Sequence, residues 1–248
     1  MAILVTRPQP DNDTTAAALR ARGFEVLQAP MLRFEPVSFG MDAGAHFDAV
    51  IVTSANALRA IAGQPAAMSL HQLPLFAVGE RTAEAARSAG FKNVISANGD
   101  ANALRDLIRA QGAGRPLKTS QTLLYLAGAD LARDLAGELG EGGFNVVTLT
   151  TYRMAPVPDL PADVGAALAN HDIKAVLHYS RRSARAFFAG ARAGGVEISA
   201  LAIPQYCLSE SIAAVALDAG ATRVPVAASP DENALFALLD RAIPSLSR

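Results

Sequence analysis

The sequence has no tryptophan, one cysteine and four histidines among its 248 residues. Cys207 alone cannot build a disulfide framework or a cysteine-rich metal site, and a reducing compartment suits the chain. His46, His71, His171 and His178 stand far apart with no HExxH pair, so no metal is predicted. Charge of one sign is also lacking. The 22 Lys and Arg against 23 Asp and Glu leave a net charge of −1, too little to attract nucleic acid or an anionic membrane. No run is long and apolar enough to span a bilayer, and Met1-Ala-Ile-Leu-Val-Thr-Arg7-Pro8 has neither the basic lead nor the length of a signal core. These gaps predict a cytoplasmic globular protein with no nucleic-acid or membrane partner. No coiled-coil or long edge pattern stands out, which favours a monomer.

The usual phosphate and nucleophile signatures are missing as well. There is no GxxxxGK[ST] and no strand followed by GxGxxG; Gly140-Glu-Gly-Gly143 follows a helical stretch and reads as a C-terminal cap and turn. Nucleotide binding is disfavoured. Without a GxSxG elbow or an identifiable base beside Ser54 or Ser180, covalent hydrolysis is disfavoured too.

What is present is alternation. Short apolar runs at Ile3–Val5, Ala49–Val52, Leu75–Val78, Leu123–Leu126, Ala175–Leu177 and Val224–Ala227 are separated by alanine-rich helical stretches. Continuous apolar runs suit parallel strands covered on both faces, so the pattern predicts βα units. Gly23, Gly90 and Gly220 each follow a helical stretch and suit a left-handed C-terminal cap. Ser229-Pro-Asp-Glu232 predicts a helix start with Ser229 as N-cap, Pro230 at the first helical position and Glu232 in a capping box.

The sequence also repeats itself. Gly23-Phe-Glu-Val26 recurs as Gly143-Phe-Asn-Val146, and at the same offset Arg33, Pro36 and Val37 recur as Arg153, Pro156 and Val157. Ala49–Ser54 matches Ala175–Ser180, Phe76–Val94 matches Tyr206–Val224, and Asn102-Ala-Leu104 meets Asn233-Ala-Leu235. Similar composition explains any one match, but not the ordered series, so two copies are inferred with a boundary near Gly114–Ser120. The repeated Arg33–Val37 and Arg153–Val157 read as extended crossings because a residue before proline favours extended backbone. They predict a discontinuous α/β domain of residues 1–34 plus 158–248 and a continuous one of 40–150, with 35–39 and 151–157 as linker strands forming a hinge. Each domain is expected to hold about five strands with flavodoxin-like doubly wound parallel sheets, and ligands at the carboxyl ends of the strands.

Small polar residues recur where strands hand over to helices: Thr6-Arg7, Thr53-Ser54, Gly79-Glu-Arg-Thr82, Ser180-Arg-Arg-Ser183 and Ser209-Glu-Ser211. Simple N-capping accounts for most of these hydroxyls. Helix starts also offer free N–H groups that hold carboxylates or phosphates, and Arg7, Arg181 and Arg182 could add charge-assisted bonds.

The series Val5-Thr-Arg-Pro8, Phe47-Asp-Ala-Val-Ile-Val-Thr-Ser-Ala-Asn-Ala57, Ala77-Val-Gly-Glu-Arg-Thr-Ala83 and Leu149-Thr-Thr-Tyr-Arg153 resembles the uroporphyrinogen-III synthase family over essentially the whole chain. Each motif is loose; their order and spacing together are specific. The resemblance implies two α/β domains joined by a two-stranded linker, an active-site cleft between them, and no cofactor. It implies that hydroxymethylbilane loses water, inverts its terminal ring through a spiro intermediate and closes as uroporphyrinogen III. It carries Tyr152 over as catalytic, its phenol bonding or protonating the departing hydroxyl, with a packed tyrosine as the alternative. Substrate contacts are expected at Thr6, Arg7, Thr53, Ser54, Gly79, Thr82, Ser180, Arg181, Ser209 and Ser211. Tyr125, Tyr179 and Tyr206 read as core or strand-end residues. The second half departs from the family, with Ser209 and Ile212 where many members have Gly and Thr. Transient contact with hydroxymethylbilane synthase is an expected partnership. The runner-up from another class is a non-catalytic two-domain cytosolic binding protein or sensor for a small anionic ligand.

Overall fold

The computed structural model describes residues 2–40, 45–114, 121–131 and 133–243. The chain opens with β1 (Ala2–Val5), α1 (Asp11–Ala21), β2 (Val26–Gln28) and β3 (Leu32–Pro36). There follow β4 (Ala49–Val52), α2 (Ala55–Ile61), a 3-10 helix (Pro65–Gln72), β5 (Pro74–Ala77), α3 (Glu80–Ser88), β6 (Asn93–Ser96) and α4 (Ala101–Gly114). The second half carries β7 (Thr122–Gly128), α5 (Leu135–Glu141), β8 (Asn145–Pro156), α6 (Ala162–Ala169), β9 (Ile173–His178) and α7 (Arg181–Ala193). It ends with α8 (Glu197–Leu201), β10 (Gln205–Cys207), α9 (Glu210–Asp218) and α10 (Glu232–Ala242). Two compact units result: residues 1–33 with 155–248, and residues 34–154.

The sheet of the first unit has the order β2-β1-β9-β10, with parallel pairing throughout. Side chains alternate between two cores, as the period of a strand requires. Leu4 and Val176 join Val164, Phe187 and Ala213 from α6, α7 and α9, whereas Ile3, Val5, Ala175 and Leu177 meet Leu19 of α1 and Leu235 and Leu239 of α10. Covering both faces is what permits uninterrupted apolar strands. The second unit repeats the plan with β8-β7-β4-β5-β6 and with β3 outside β8. Val50, Val52, Leu124 and Leu126 pack under α2 and α3, and Ala49, Ile51, Leu123 and Tyr125 pack under α4 and α5.

The sequence repeat explains the shared plan. In the copies, β1, β2, β4, β5 and β6 correspond to β7, β8, β9, β10 and the segment around Val226. The first unit joins β1-β2 of the first copy to β9-β10 of the second; the second unit joins β4-β5-β6 of the first to β7-β8 of the second. Each sheet is therefore built from both copies, in matching spatial order. Equivalent residues do equivalent work: Ser54 and Ser180 are extended N-caps of α2 and α7, Gly79 and Ser209 those of α3 and α9, and Gly90 and Gly220 close helices at φ 101° and 103°. The boundary between copies falls almost wholly on 115–120, outside the described residues.

Three expectations are corrected. Val224–Ala227 forms no strand but a single bridge from Val226 to Cys207. Pro225 lies within it: the Cys207 N–H reaches the Pro225 carbonyl and the Ala227 N–H reaches the Cys207 carbonyl, but Pro225 has no N–H for the intervening rung. The Gln205 carbonyl instead accepts the Cys207 thiol at 3.5 Å. Second, about five strands per domain becomes sheets of four and six, because that bridge is too short to count and β3 adds an edge beside β8. Third, α10 is capped by Asp231 rather than Ser229. The Asp231 carboxylate accepts from the Ala234 N–H at 2.9 Å, and Ser229 Oγ donates to the other carboxylate oxygen at 2.5 Å. An aspartate adjoining the helix outcompetes a hydroxyl two residues away.

Candidate active site

The predicted polar residues all lie at carboxyl ends of strands, distributed over the two sheets. In the first unit Thr6 and Arg7 follow β1, Ser180 and Arg181 follow β9, and Ser209 and Ser211 follow β10. In the second unit Thr53 and Ser54 follow β4, Gly79 and Thr82 follow β5, and Tyr152 lies in β8 where it passes the end of β7.

Thr6 is fully buried and its Oγ1 donates to the Leu177 carbonyl at 2.9 Å, tying β1 to β9. Arg7 is held by its own unit. Its guanidinium donates to Asp11 at 2.8 Å, Thr15 at 3.0 Å and Glu232 at 3.1 Å, and lies 4.3 Å over the Tyr179 ring. Glu232 Oε1 also accepts from Thr15 at 2.5 Å and from the Tyr179 hydroxyl at 2.9 Å. Burial, then the neighbouring Glu232 carboxylate, pushes the Tyr179 phenol well above its ordinary value, so it stays protonated and donates. The buried Asn12 completes this corner by donating to the Val5 and Arg7 carbonyls at 3.1 and 2.7 Å. Glu232, foreseen as a capping-box residue, instead anchors an arginine network. Its partners Arg7, Thr15 and Tyr179 lie 225, 217 and 53 residues away in sequence, so no local pattern could have shown this.

Ser180 accepts from the Ser183 N–H at 3.1 Å and donates to the Ser183 hydroxyl at 2.9 Å. Arg181 is exposed and makes no hydrogen bond or ion pair among the described residues. Ser209 and Ser211 face each other, their hydroxyl oxygens 3.1 Å apart. Neither caps α9 with its side chain, so their hydroxyls remain at the surface.

In the second unit Thr53 Oγ1 lies 2.9 Å from the Tyr125 hydroxyl. Burial raises the pKa of Tyr125, partly offset by that bond. Ser54 accepts from the Asn56 N–H at 3.2 Å, and Thr82 is buried in the first turn of α3 above the extended Gly79. Tyr152 is half-buried and stacked on Phe34, ring centres 5.8 Å apart at 25°. Arg59 lies 4.3 Å over the other partner of that pair, Phe34. The Tyr152 hydroxyl and ring edge hang over Gly128, two residues beyond the apolar run Leu123–Leu126 and marked by no local sequence signal.

Two α/β sheets whose parallel strands bear hydroxyls, N–H groups and arginines at their carboxyl ends define a class of proteins that bind ligands at strand ends. Crystal structures share this fold. Uroporphyrinogen-III synthetase from Helicobacter pylori 26695 aligns at TM-score 0.67 and 17% identity, covering 98% of this chain and 99% of that one. A mutant uroporphyrinogen III synthase from the extremely thermophilic bacterium Thermus thermophilus aligns at TM-score 0.54 and 17% identity, covering 98% and 97%. No curated protein matches the sequence significantly. The family model described as "Uroporphyrinogen-III synthase HemD" matches residues 13–237. The chain belongs to the uroporphyrinogen-III synthase family.

Proposed function

We propose that the chain works as a uroporphyrinogen-III synthase, a hydro-lyase of tetrapyrrole biosynthesis. It takes hydroxymethylbilane, removes the terminal hydroxyl as water, inverts the last ring through a spiro intermediate and closes the macrocycle without a cofactor. The observation that carries this is the family match over residues 13–237. The residues suit the chemistry. The pyrroles supply the electrons, so the protein has to orient a flexible chain and favour attack at the substituted ring position over direct closure. Tyr152 is the proposed general acid, its phenol donating to the leaving hydroxyl.

The substrate's carboxylates need donors rather than a strongly basic surface. The starts of α3, α7 and α9 supply backbone N–H groups beside Gly79, Ser180 and Ser209, and Ser211 adds an exposed hydroxyl. Arg181 is the guanidinium free to meet a carboxylate, whereas Arg7 is already engaged by Asp11 and Glu232 and acts by fixing the loop after β1. Thr6, Thr53, Ser54 and Thr82 are proposed to shape these strand ends. The description of both units as flavodoxin-like, joined by linker strands at 35–39 and 151–157, is part of the same proposal; the order β2-β1-β9-β10 supports it for the first unit. Monomeric action in the cytoplasm and transient contact with hydroxymethylbilane synthase complete the reading. Among the described residues no helix is long and apolar enough to cross a membrane.

Freshly generated hydroxymethylbilane supplied to the protein, with the porphyrin isomers resolved after oxidation, tests the proposal. The expected product is predominantly type III. Type I alone, as in the uncatalysed control, overturns it.

A further inference from the structure

Tyr152 owes its position to two neighbours that make no other evident use of their special features. β7 and β8 pair in parallel, in register from Thr122 with Asn145 to Ala127 with Thr150, and then Gly128 pairs with Tyr152. Thr151 is skipped. Side chains alternate along a strand, so regular continuation from Leu149 would turn Tyr152 to the face opposite Leu149. The extra residue reverses that: Tyr152 and Leu149 both pack against the core that contains Leu124 and Leu126. Bulges re-aim side chains in this way and concentrate beside active sites.

The bulge is tied down. Thr151 is fully buried and its Oγ1 donates to the Ala127 carbonyl at 3.2 Å. The Thr151 carbonyl accepts from the Val37 N–H at 2.8 Å, and the Tyr152 carbonyl accepts from the Ala129 N–H at 2.8 Å. The second device is a missing side chain. Gly128 has no left-handed φ, so its backbone would accept any residue. A Cβ there would meet Tyr152 Cζ at 2.8 Å, the hydroxyl oxygen at 3.0 Å and Cε2 at 3.1 Å. The ring is stacked on Phe34 on another side, so the shift that a Cβ forces falls on the tyrosine ring itself. A glycine in a strand costs stability and packs nothing, and here what it accommodates is the tyrosine.

We propose that Gly128 and Thr151 are positioning residues for the ring-inverting cyclisation, fixing the Tyr152 hydroxyl where it meets the departing group. This rests on the catalytic reading of Tyr152. Isomer-resolved turnover of hydroxymethylbilane by the wild type, Gly128→Ala, Tyr152→Phe and the double variant tests it, together with the ring resonances of 13C-labelled tyrosine. A displacement near 1 Å is expected to lower the type III rate of Gly128→Ala about 10²-fold and to shift the Tyr152 resonance. The double variant should be no slower than the slower single variant, because both substitutions disable one group. Thr151→Val keeps the shape and removes the anchor, so it should shift the same resonance with a smaller loss of kcat; it carries the test if Gly128→Ala does not fold. Losses that multiply in the double variant, or a Tyr152 resonance unmoved in folded Gly128→Ala and Thr151→Val, overturn the proposal. Full activity of Tyr152→Phe would instead overturn the catalytic reading, whatever the resonance does.

Discussion

His178 illustrates how far a single buried side chain can be read. Gln205 Nε2 donates to the Ala200 and Ile203 carbonyls, each at 2.8 Å, which turns its Oε1 to His178 Nε2, also at 2.8 Å. That nitrogen must carry the hydrogen, and in the neutral ring Nδ1 is unprotonated, 3.3 Å from Thr6 Oγ1, whose one hydrogen goes to the Leu177 carbonyl. Burial lowers the imidazole from 6.5 to about 4, against the opposing pull of the Gln205 bond. The unfolded chain therefore binds a proton that the folded one refuses. The stability from keeping His178 neutral is complete above pH 6.5 and is lost progressively as pH falls toward about 4. Between pH 7.5 and 5.5 the loss should be about 1 kcal/mol. Urea unfolding at those two pH values should show it in the wild type and a flatter dependence in His178→Gln; equal slopes would contradict the assignment. A dispersed histidine reads from the sequence as structural or solvated, but its neutral state depends on Gln205, 27 residues further along the chain.

At the scale of elements, the start of α10 can be argued from chemistry. Asp231→Ala removes the carboxylate that accepts from the Ala234 N–H and should cost measurable stability. Ser229→Ala removes only a donor to that carboxylate and should cost less. Thermal melts of the two variants check the order. Most strands were legible because strands buried on both faces are written as unbroken apolar runs, as Ala49–Val52 and Leu123–Leu126 are. Val224–Ala227 looked alike by composition, and the proline that prevents pairing was itself visible. Helix starts were legible as Ser54 and Ser180 because capping is local. The bulge at Thr151 was not, since it exists only in the register of β8 against β7, and Gly128 gains meaning only from a tyrosine across that register.

For the whole molecule, the two units differ in how the chain supplies them. The second is one continuous segment, residues 34–154, and among the described residues its two cores draw only on that segment. Expressed alone, residues 34–154 should give helical circular dichroism and unfold cooperatively; a non-cooperative fragment would mean that the unit cannot stand by itself. The first unit needs two distant segments, because β1 sits between β2 and β9 and Ile3 pairs with both Val26 and Ala175. The repeated motifs read as duplication and the two proline-containing crossings as a discontinuous domain that mixes the copies, whereas the order of strands within each sheet was not legible, because composition records which units exist and not which neighbours they choose.

That mixing also sets a timetable for synthesis. A ribosome delivers β1 first, yet β9, which completes its pairing through Ala175, emerges only after the whole of residues 34–154. During that interval one side of β1 is an open edge, the kind of surface that recruits wrong partners. The nascent chain can finish its later-starting unit while the earlier one waits. Premature termination after residue 154 would therefore release a product with one buildable sheet and an unfinished β1-β2 pair.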